Sequence, residues 1–597
     1  MTVFVPISNQ LKKLNLSLLF LLTASLFSIY GQTQTAAAPA PPDTARIEIY
    51  QPIEHKGVLN EPEIRAYQSD LWLINFANRG RIGSSAWRGM PAGFSNFNYA
   101  GNRLQNPITG FWNEQWLPHY QIGERRRKFG SDVEYLQQVE PLSRKPETRI
   151  IYSQDYLTGI SFVDINFARY WSPTNFVQLS GNNFLGEESD IGKKYQVNTY
   201  RARVHWEYTR WKWDAYYWQM RQLSNVFSLV SSVQGESVTA KLKSIGHVMW
   251  LRGQWWMSER DSLEIVPSYI AVEDRLTPIS ATFDRRNIRY KIGQLSATLT
   301  RNYSGGNFGF STLPQIYRNE HFVHPAKRTE STFRGNAFWE SADSSKEIRL
   351  EAGGFYASAS GALPEAQAVF AKKWAGGRQI GLRVFSGGQP VPLIWRTVGA
   401  DSLPRFSGEN PIRKTGVSGI AEFALGSNLD VRIEPFFMRT DNYPVFLDGN
   451  RWQIQTIENY GFRANAGTKI WRFWVNNDFT WNANYKESFA PQIKNVTTLK
   501  TSVSLFNNAL RLDGILDWRV LGEYYPLDFQ PQLYAFSPMP AAVGPHAISD
   551  ARIQAQFRDA TLFFIWENLL STDYFIINGT LEQLIIFRLG IDWLLFN

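Results

Sequence analysis

His321 and His324, in the stretch HFVHP, are the only close pair among the seven histidines of the chain. A metal centre would need further ligands at recognisable spacing, and none stands nearby; Pro325 and the neighbouring charges mark an outer loop instead. The patterns G-x-S-x-G, G-x-x-x-x-G-K-[ST] and H-E-x-x-H are absent from the sequence, so it offers no nucleophile elbow, phosphate loop or zinc-protease helix. Glycine pairs such as Gly353-Gly354, Gly376-Gly377 and Gly387-Gly388 read as turns or bulges of curved strands. The expectation is a protein that is not an enzyme and uses no cofactor and no metal. Arg125 to Lys128 (RRRK) is the one basic cluster, and the rest of the +9 net charge is spread along the chain. That distribution predicts a solvated loop and no nucleic-acid partner.

The chemistry that remains lies in charged side chains spaced two apart. In 510–520, Leu510, Leu512, Leu516, Trp518 and Val520 share one side of an extended strand, and Arg511, Asp513, Asp517 and Arg519 share the other. Likewise Arg552, Gln554, Gln556 and Arg558 alternate with Ala551, Ile553, Ala555 and Phe557. The chain closes on FRLGIDWLLFN, where Arg588 and Asp592 oppose Phe587, Leu589, Ile591, Trp593 and Leu595. A period of two means strands with one apolar and one wet face. A soluble sandwich would show the same alternation. Trp471 and Trp481 discriminate better, sharing a face of WRFWVNNDFTW with Phe473, Val475 and Phe479. Ten residues at about 3.3 Å, tilted by about 40°, span about 25 Å, the height of an outer-membrane apolar band with one ring at each interface. Trp518 and Trp593 are further candidates for membrane-interface aromatics.

Several features say what must hold such strands. Lys12 and Lys13 precede an apolar stretch from Leu14 to about Tyr30, followed by GQTQTAAAPAPP; residues 1–31 read as a cleaved signal peptide. No later apolar run reaches the ~18 residues a membrane helix needs, so a bilayer could be crossed only by a closed barrel. The full chain has no cysteine and carries 22 Trp, 26 Tyr and 40 Phe, leaving burial, hydrogen bonding and half-wet rings to stabilise the exported fold. From about residue 195, strand-like segments of roughly 10 to 13 residues are joined alternately by short turns and longer polar loops. Nine short turns, at Thr209-Arg210, Glu259, Ser304, Asp343, Gly376-Gly377, Ser427, Thr468, Asn507-Asn508 and Arg558-Asp559, recur every 44 residues or so. That repeat suits pairs of bilayer-length strands with short periplasmic turns and longer outer loops. They give 18 strands; 159–171 and 584–597 make 20, and PETRIIYS (146–153) with GFWNEQWLPHYQI (110–122) would make 22. The fold expected is an all-β, transmembrane antiparallel up-and-down β-barrel of 20 to 22 strands over 146–597, preceded by an N-terminal periplasmic or lumenal segment over 32–145.

The endings DARIQAQF (550–557), FFIWENLL (563–570) and FRLGIDWLLFN, with IGSSAW (82–87), TGFWNEQW (109–116) and KPETRIIYSQDYLTG (145–159), resemble a porin family of Bacteroidota-type outer membranes. Similar C-terminal strands occur in TonB-dependent receptors of the same membranes. The resemblance covers both ends and more diffusely the middle. Asn597 departs from the general outer-membrane signal, which ends on an aromatic residue. The resemblance implies that the last strand closes the barrel and presents the surface recognised by the outer-membrane assembly machinery.

The leading expectation is therefore an outer-membrane porin passing small hydrophilic solutes, with the lipid of that membrane around it. Arg511, Asp513, Asp517, Arg519, Arg552, Gln554, Gln556, Arg558, Arg588 and Asp592 are the candidates for the pore lining. The alternatives are a TonB-dependent-receptor-like barrel whose lumen is plugged by part of 32–145, and a structural or export-associated barrel binding a protein partner through the loops 224–244 and 522–549.

Overall fold

The computed structural model describes Glu48–Ile49 and residues 57–596, apart from short internal stretches of which the longest is 229–237. The expected signal peptide, His324 and the turns at Gly376-Gly377 and Ser427 lie outside the described residues.

Twenty-two antiparallel strands close a barrel in which each pairs with its neighbour in sequence. The last, Ile586–Phe596, returns to the first, Glu147–Asp155, with Arg588 opposite Asp155 and Phe596 opposite Glu147. This explains why an apolar alternation runs to the end of the chain: the terminal strand is paired on both edges over 588–593 and on one edge through Phe596, as closure of a wall in lipid requires. Among the described residues no helix is long and apolar enough to cross a membrane.

The expected total of 22 is met with a different membership. PETRIIYS belongs to the first strand, but its partner is Ser161–Tyr170. GFWNEQWLPHYQI is not a barrel strand; it holds two short 3-10 turns, Glu114–Trp116 and His119–Gln121, inside the lumen. The strand that completes the count is Phe176–Glu188, whose centre, Gly-Asn-Asn, hides the alternation. The turn placed at Thr468 also moves. Thr468 pairs with Val475 inside the ladder, and the chain reverses at Trp471-Arg472, between Ile470 and Phe473. Trp471 takes a left-handed backbone there, with φ 54°, which an aromatic residue seldom adopts and which Gly-Thr-Lys would have suggested for 467–469.

Strands reach 20 residues, as in Arg451–Ile470, well beyond the ~9–11 a bilayer requires. Outside, Leu350, Phe370, Ile380, Leu382, Val384 and Val417 remain largely exposed, forming part of an apolar exterior that only hydrocarbon would match.

The lumen is occupied. A five-stranded sheet crosses it, with Asn96–Tyr99, Asn102–Leu104, Ile122–Arg127 and Val133–Gln138 among its strands. A two-stranded sheet of Leu71–Asn75 and Gly83–Trp87 and a five-residue helix α1, Glu61–Arg65, complete this plug. At the long-loop end a second short helix α2, Leu393–Thr397, folds onto it, with Leu393 N–H donating to Pro107 O and Ile394 N–H to Ile108 O, both at 3.0 Å. The Phe111 ring of the plug packs 5.6 Å from Phe536 and 6.2 Å from Tyr534 of another loop. One apolar cluster therefore runs from the plug into its cap.

Candidate functional site: the plug and its anchors

Local sequence builds the anchor. In N-E-P-E-I-R, Asn60 caps α1 by accepting the Glu63 N–H at 3.0 Å, and Glu63 Oε2 accepts the Leu59 N–H at 2.8 Å. Pro62 occupies the first turn, where no amide donor is needed. The reciprocal cap fixes the Glu63 carboxylate so that its other oxygen, Oε1, meets Arg588 at 2.6 Å and Arg552 at 3.4 Å, both on the barrel wall. Arg588 also reaches Gly57 O at 3.0 Å and pairs with Glu567. One turn later, Tyr67 O–H donates to Asp550 at 3.0 Å and accepts from Arg552 at 2.8 Å. These wall arginines are fully buried. A charge so desolvated is tolerated only when paired and hydrogen-bonded.

Inside the plug, Arg65 holds Glu134 at 2.9 Å and Glu114 at 3.0 Å. Burial pushes the Glu114 carboxyl up to about 7, against the Arg65 guanidinium and the Ser85 hydroxyl, with Glu134 and Glu61 adding to the rise. Glu61 goes the other way: burial opposes its charge, but Arg125 and the His119 ring beside it hold its carboxyl well below the usual range.

Further ties surround the plug. Arg88 meets Glu434 at 2.5 Å; Asn459 donates to Arg88 O at 2.8 Å; Asp478 accepts the Ser69 N–H at 3.0 Å. Lys494 Nζ donates to Gln68 O and Leu71 O at 2.8 and 2.7 Å, and Lys414 Nζ to Phe94 O at 2.7 Å. On the opposite arc, Gln222 Oε1 accepts from Asn113 and Trp116 at 2.9 Å each. The plug's irregular loops leave carbonyls without helix or sheet partners, and wall side chains supply the donors.

The sequence candidates fall into two groups. Arg552, Arg588 and Gln554 are buried on the inner wall, and Arg519 pairs inward with Asp550 at 2.8 Å. Asp517 accepts from Thr498 at 2.6 Å, and Asp592 pairs with Arg149 at 2.7 Å. Arg511, bound to Asp513 at 3.0 Å, stands exposed with Gln556 and Arg558 toward the short-turn end. Trp518 and Trp593 are exposed on the outer face; Trp481 is half-buried, and Trp471 sits in its turn. Sequence reading did not find Glu63, Tyr67 or Lys494. The signal for the first was present in the capping pattern N-E-P-E, but nothing local says what a cap faces.

No protein-family model and no curated protein matches the sequence. Solved structures do match over nearly the whole chain. The siderophore receptor PirA from Acinetobacter baumannii has a TM-score of 0.72 at 11% identity, covering 90% of this chain and 96% of that one. The FrpB iron transporter from Neisseria meningitidis gives 0.70 at 7%, covering 90% and 97%. The ferric-catecholate import receptor Fiu from E. coli K12 gives 0.66 at 12%, covering 95% and 100%. Identities this low establish likeness of fold. The fold and the filled lumen together define the class: a plugged 22-stranded outer-membrane β-barrel.

Proposed function

We propose that the protein is a gated, receptor-like transporter barrel that admits a hydrophilic solute when its plug is displaced, and not a porin open at rest. The supporting observation is the double anchoring of Glu63 by Arg552 and Arg588, with the ring of wall-to-plug hydrogen bonds around it. Such ties suit a gate. Each buried ion pair adds little net stability over an apolar contact but is costly to break singly. The plug is therefore firmly seated at rest, and its polar groups can be rehydrated if it shifts.

In this mechanism the cap of α2 and the loop containing Phe536 receives the solute at the long-loop end. Withdrawal of the plug from the Arg552–Arg588 side opens a passage along the inner wall, and return of Glu63 closes it. The solved neighbours named for siderophores and iron support the receptor-like reading by fold alone.

Ser69 Oγ and Thr480 Oγ1 lie 2.7 Å apart, one on the plug and one on the wall. In a chain without cysteine, a Ser69→Cys/Thr480→Cys pair can form a single, unambiguous lock. Uptake of a panel of labelled hydrophilic solutes by cells carrying this variant should stop under oxidation and resume on reduction. Uptake equal in the locked and unlocked forms would overturn the proposal.

A further inference from the structure

Between plug and wall lies a polar cavity of about 470 Å³, within the range of small-ligand sites. The plug contributes Arg103, Lys128 and Asp132; the wall contributes Arg334, Arg349, Arg383 and Lys414 among others.

Its charges do not balance locally. Arg334 holds Glu365 at 2.7 Å, Lys414 holds Asp132 at 3.1 Å, Arg349 holds Glu351 at 3.2 Å, and Lys128 stands 3.8 Å from Glu340. The remaining carboxylate, Glu264, is taken by Arg252 at 2.8 Å. Arg103 and Arg383 are left over, and among the described residues neither has a carboxylate within ion-pair distance. Arg383 is 3% exposed and bonds only to neutral oxygens, Gln367 Oε1 at 2.5 Å and Phe129 O at 3.4 Å. The Nε atoms of both arginines are buried without a hydrogen-bond partner. Two guanidiniums so placed are costly unless something anionic joins them, and their forked donors match a planar or tetrahedral oxyanion.

We infer that this cavity is a binding site for a compact oxyanion, phosphate or carboxylate in type, held between Arg103 of the plug and Arg383 of the wall. An anion there bridges the two bodies and contributes to seating the plug. The inference deepens the transporter reading by naming a ligand class in the gap a solute would traverse. Binding can be measured without plug movement, so failure of either idea leaves the other testable.

The test is titration calorimetry of the full-length protein in detergent micelles, with sodium phosphate and, separately, sodium succinate, at ionic strength held constant with sodium chloride. One of the two anions should bind saturably at one site. Arg103→Gln and Arg383→Gln should each weaken it about tenfold or more, as expected for loss of a charge-assisted contact. Arg439→Gln, an arginine outside the cavity paired with Asp441 and Glu458, should leave it unchanged. Absence of saturable heat from both anions, or equal binding by all three variants, overturns the site. If the cavity variants do not fold, the wild type decides. The bound anion should raise its melting temperature over equal ionic strength of chloride, and no rise contradicts the inference.

Discussion

Glu63 of the plug lies 2.6 Å from Arg588 of the closing strand, a contact between residues 525 positions apart in the chain. The same carboxylate oxygen faces Arg552, so one side chain of a five-residue helix pairs with two buried guanidiniums of the wall. Glu63→Gln should therefore loosen the plug without unfolding the barrel. Arg588 keeps Glu567, which limits the loss to about 1 to 3 kcal/mol, the penalty for a buried charged donor left short of a partner. Hydrogen exchange should accelerate at residues 57–75 by roughly tenfold or more, and barrel-strand amides should keep their protection.

Lys494→Met makes the complementary test from the wall. The ammonium satisfies two plug carbonyls, Gln68 O and Leu71 O, and the methionine fills its volume without donating. Limited proteolysis should cut first within 60–80, ahead of any cut in the barrel, as local opening of the least stable unit demands. Cleavage unchanged from wild type would show those bonds to be idle.

Gly57 tests the fit of backbone against wall. Its φ is 80°, and a Cβ there would stand 2.5 Å from a ring carbon of Phe563. Gly57→Ala combines a left-handed backbone with a steric clash, and should lower plug stability by more than about 1 kcal/mol. The check is again exchange at 57–65, with far-ultraviolet circular dichroism to confirm that the barrel is intact.

Proton uptake at Glu114 gives the plug a pH dependence of defined sign. Burial raises its carboxyl from 4.5 to about 7, so between those values the folded plug binds a proton that the unfolded chain has released. Stability from this group is then full below pH 4.5 and declines as pH rises toward 7, by on the order of 3 kcal/mol at most. Plug protection factors, which remove the intrinsic base catalysis of exchange, should be higher at pH 5 than at pH 7.5, and Glu114→Gln should flatten the difference. An unaltered pH profile in that variant would remove Glu114 as its source.

The wall was readable from sequence because its physics is local. Alternation in 510–520 and 551–557 follows from lipid on one side of a strand, and short turns such as Asn507-Asn508 punctuate it. Legibility failed where that logic was interrupted. Phe176–Glu188 carries Gly-Asn-Asn at its centre, and Trp471 turns in a conformation usually left to glycine. The anchors were unreadable for another reason. Arg552 and Arg588 were legible as inward-facing charges, but a strand pattern cannot say whether a polar face meets water or a plug, and their partner Glu63 lies some 490 to 525 positions away. The short plug strands Asn96–Tyr99 and Asn102–Leu104 are too brief for any period to show, since tertiary packing, not alternation, fixes them.

Single-channel recording in planar bilayers tests the occluded lumen most directly. Full-length protein should be electrically silent or show only rare, brief openings. Deletion of 46–105, which removes Glu63, Tyr67 and Arg88, should give large, long-lived conductance steps. Steady large steps from the intact protein, unaltered by the deletion, would contradict a seated plug.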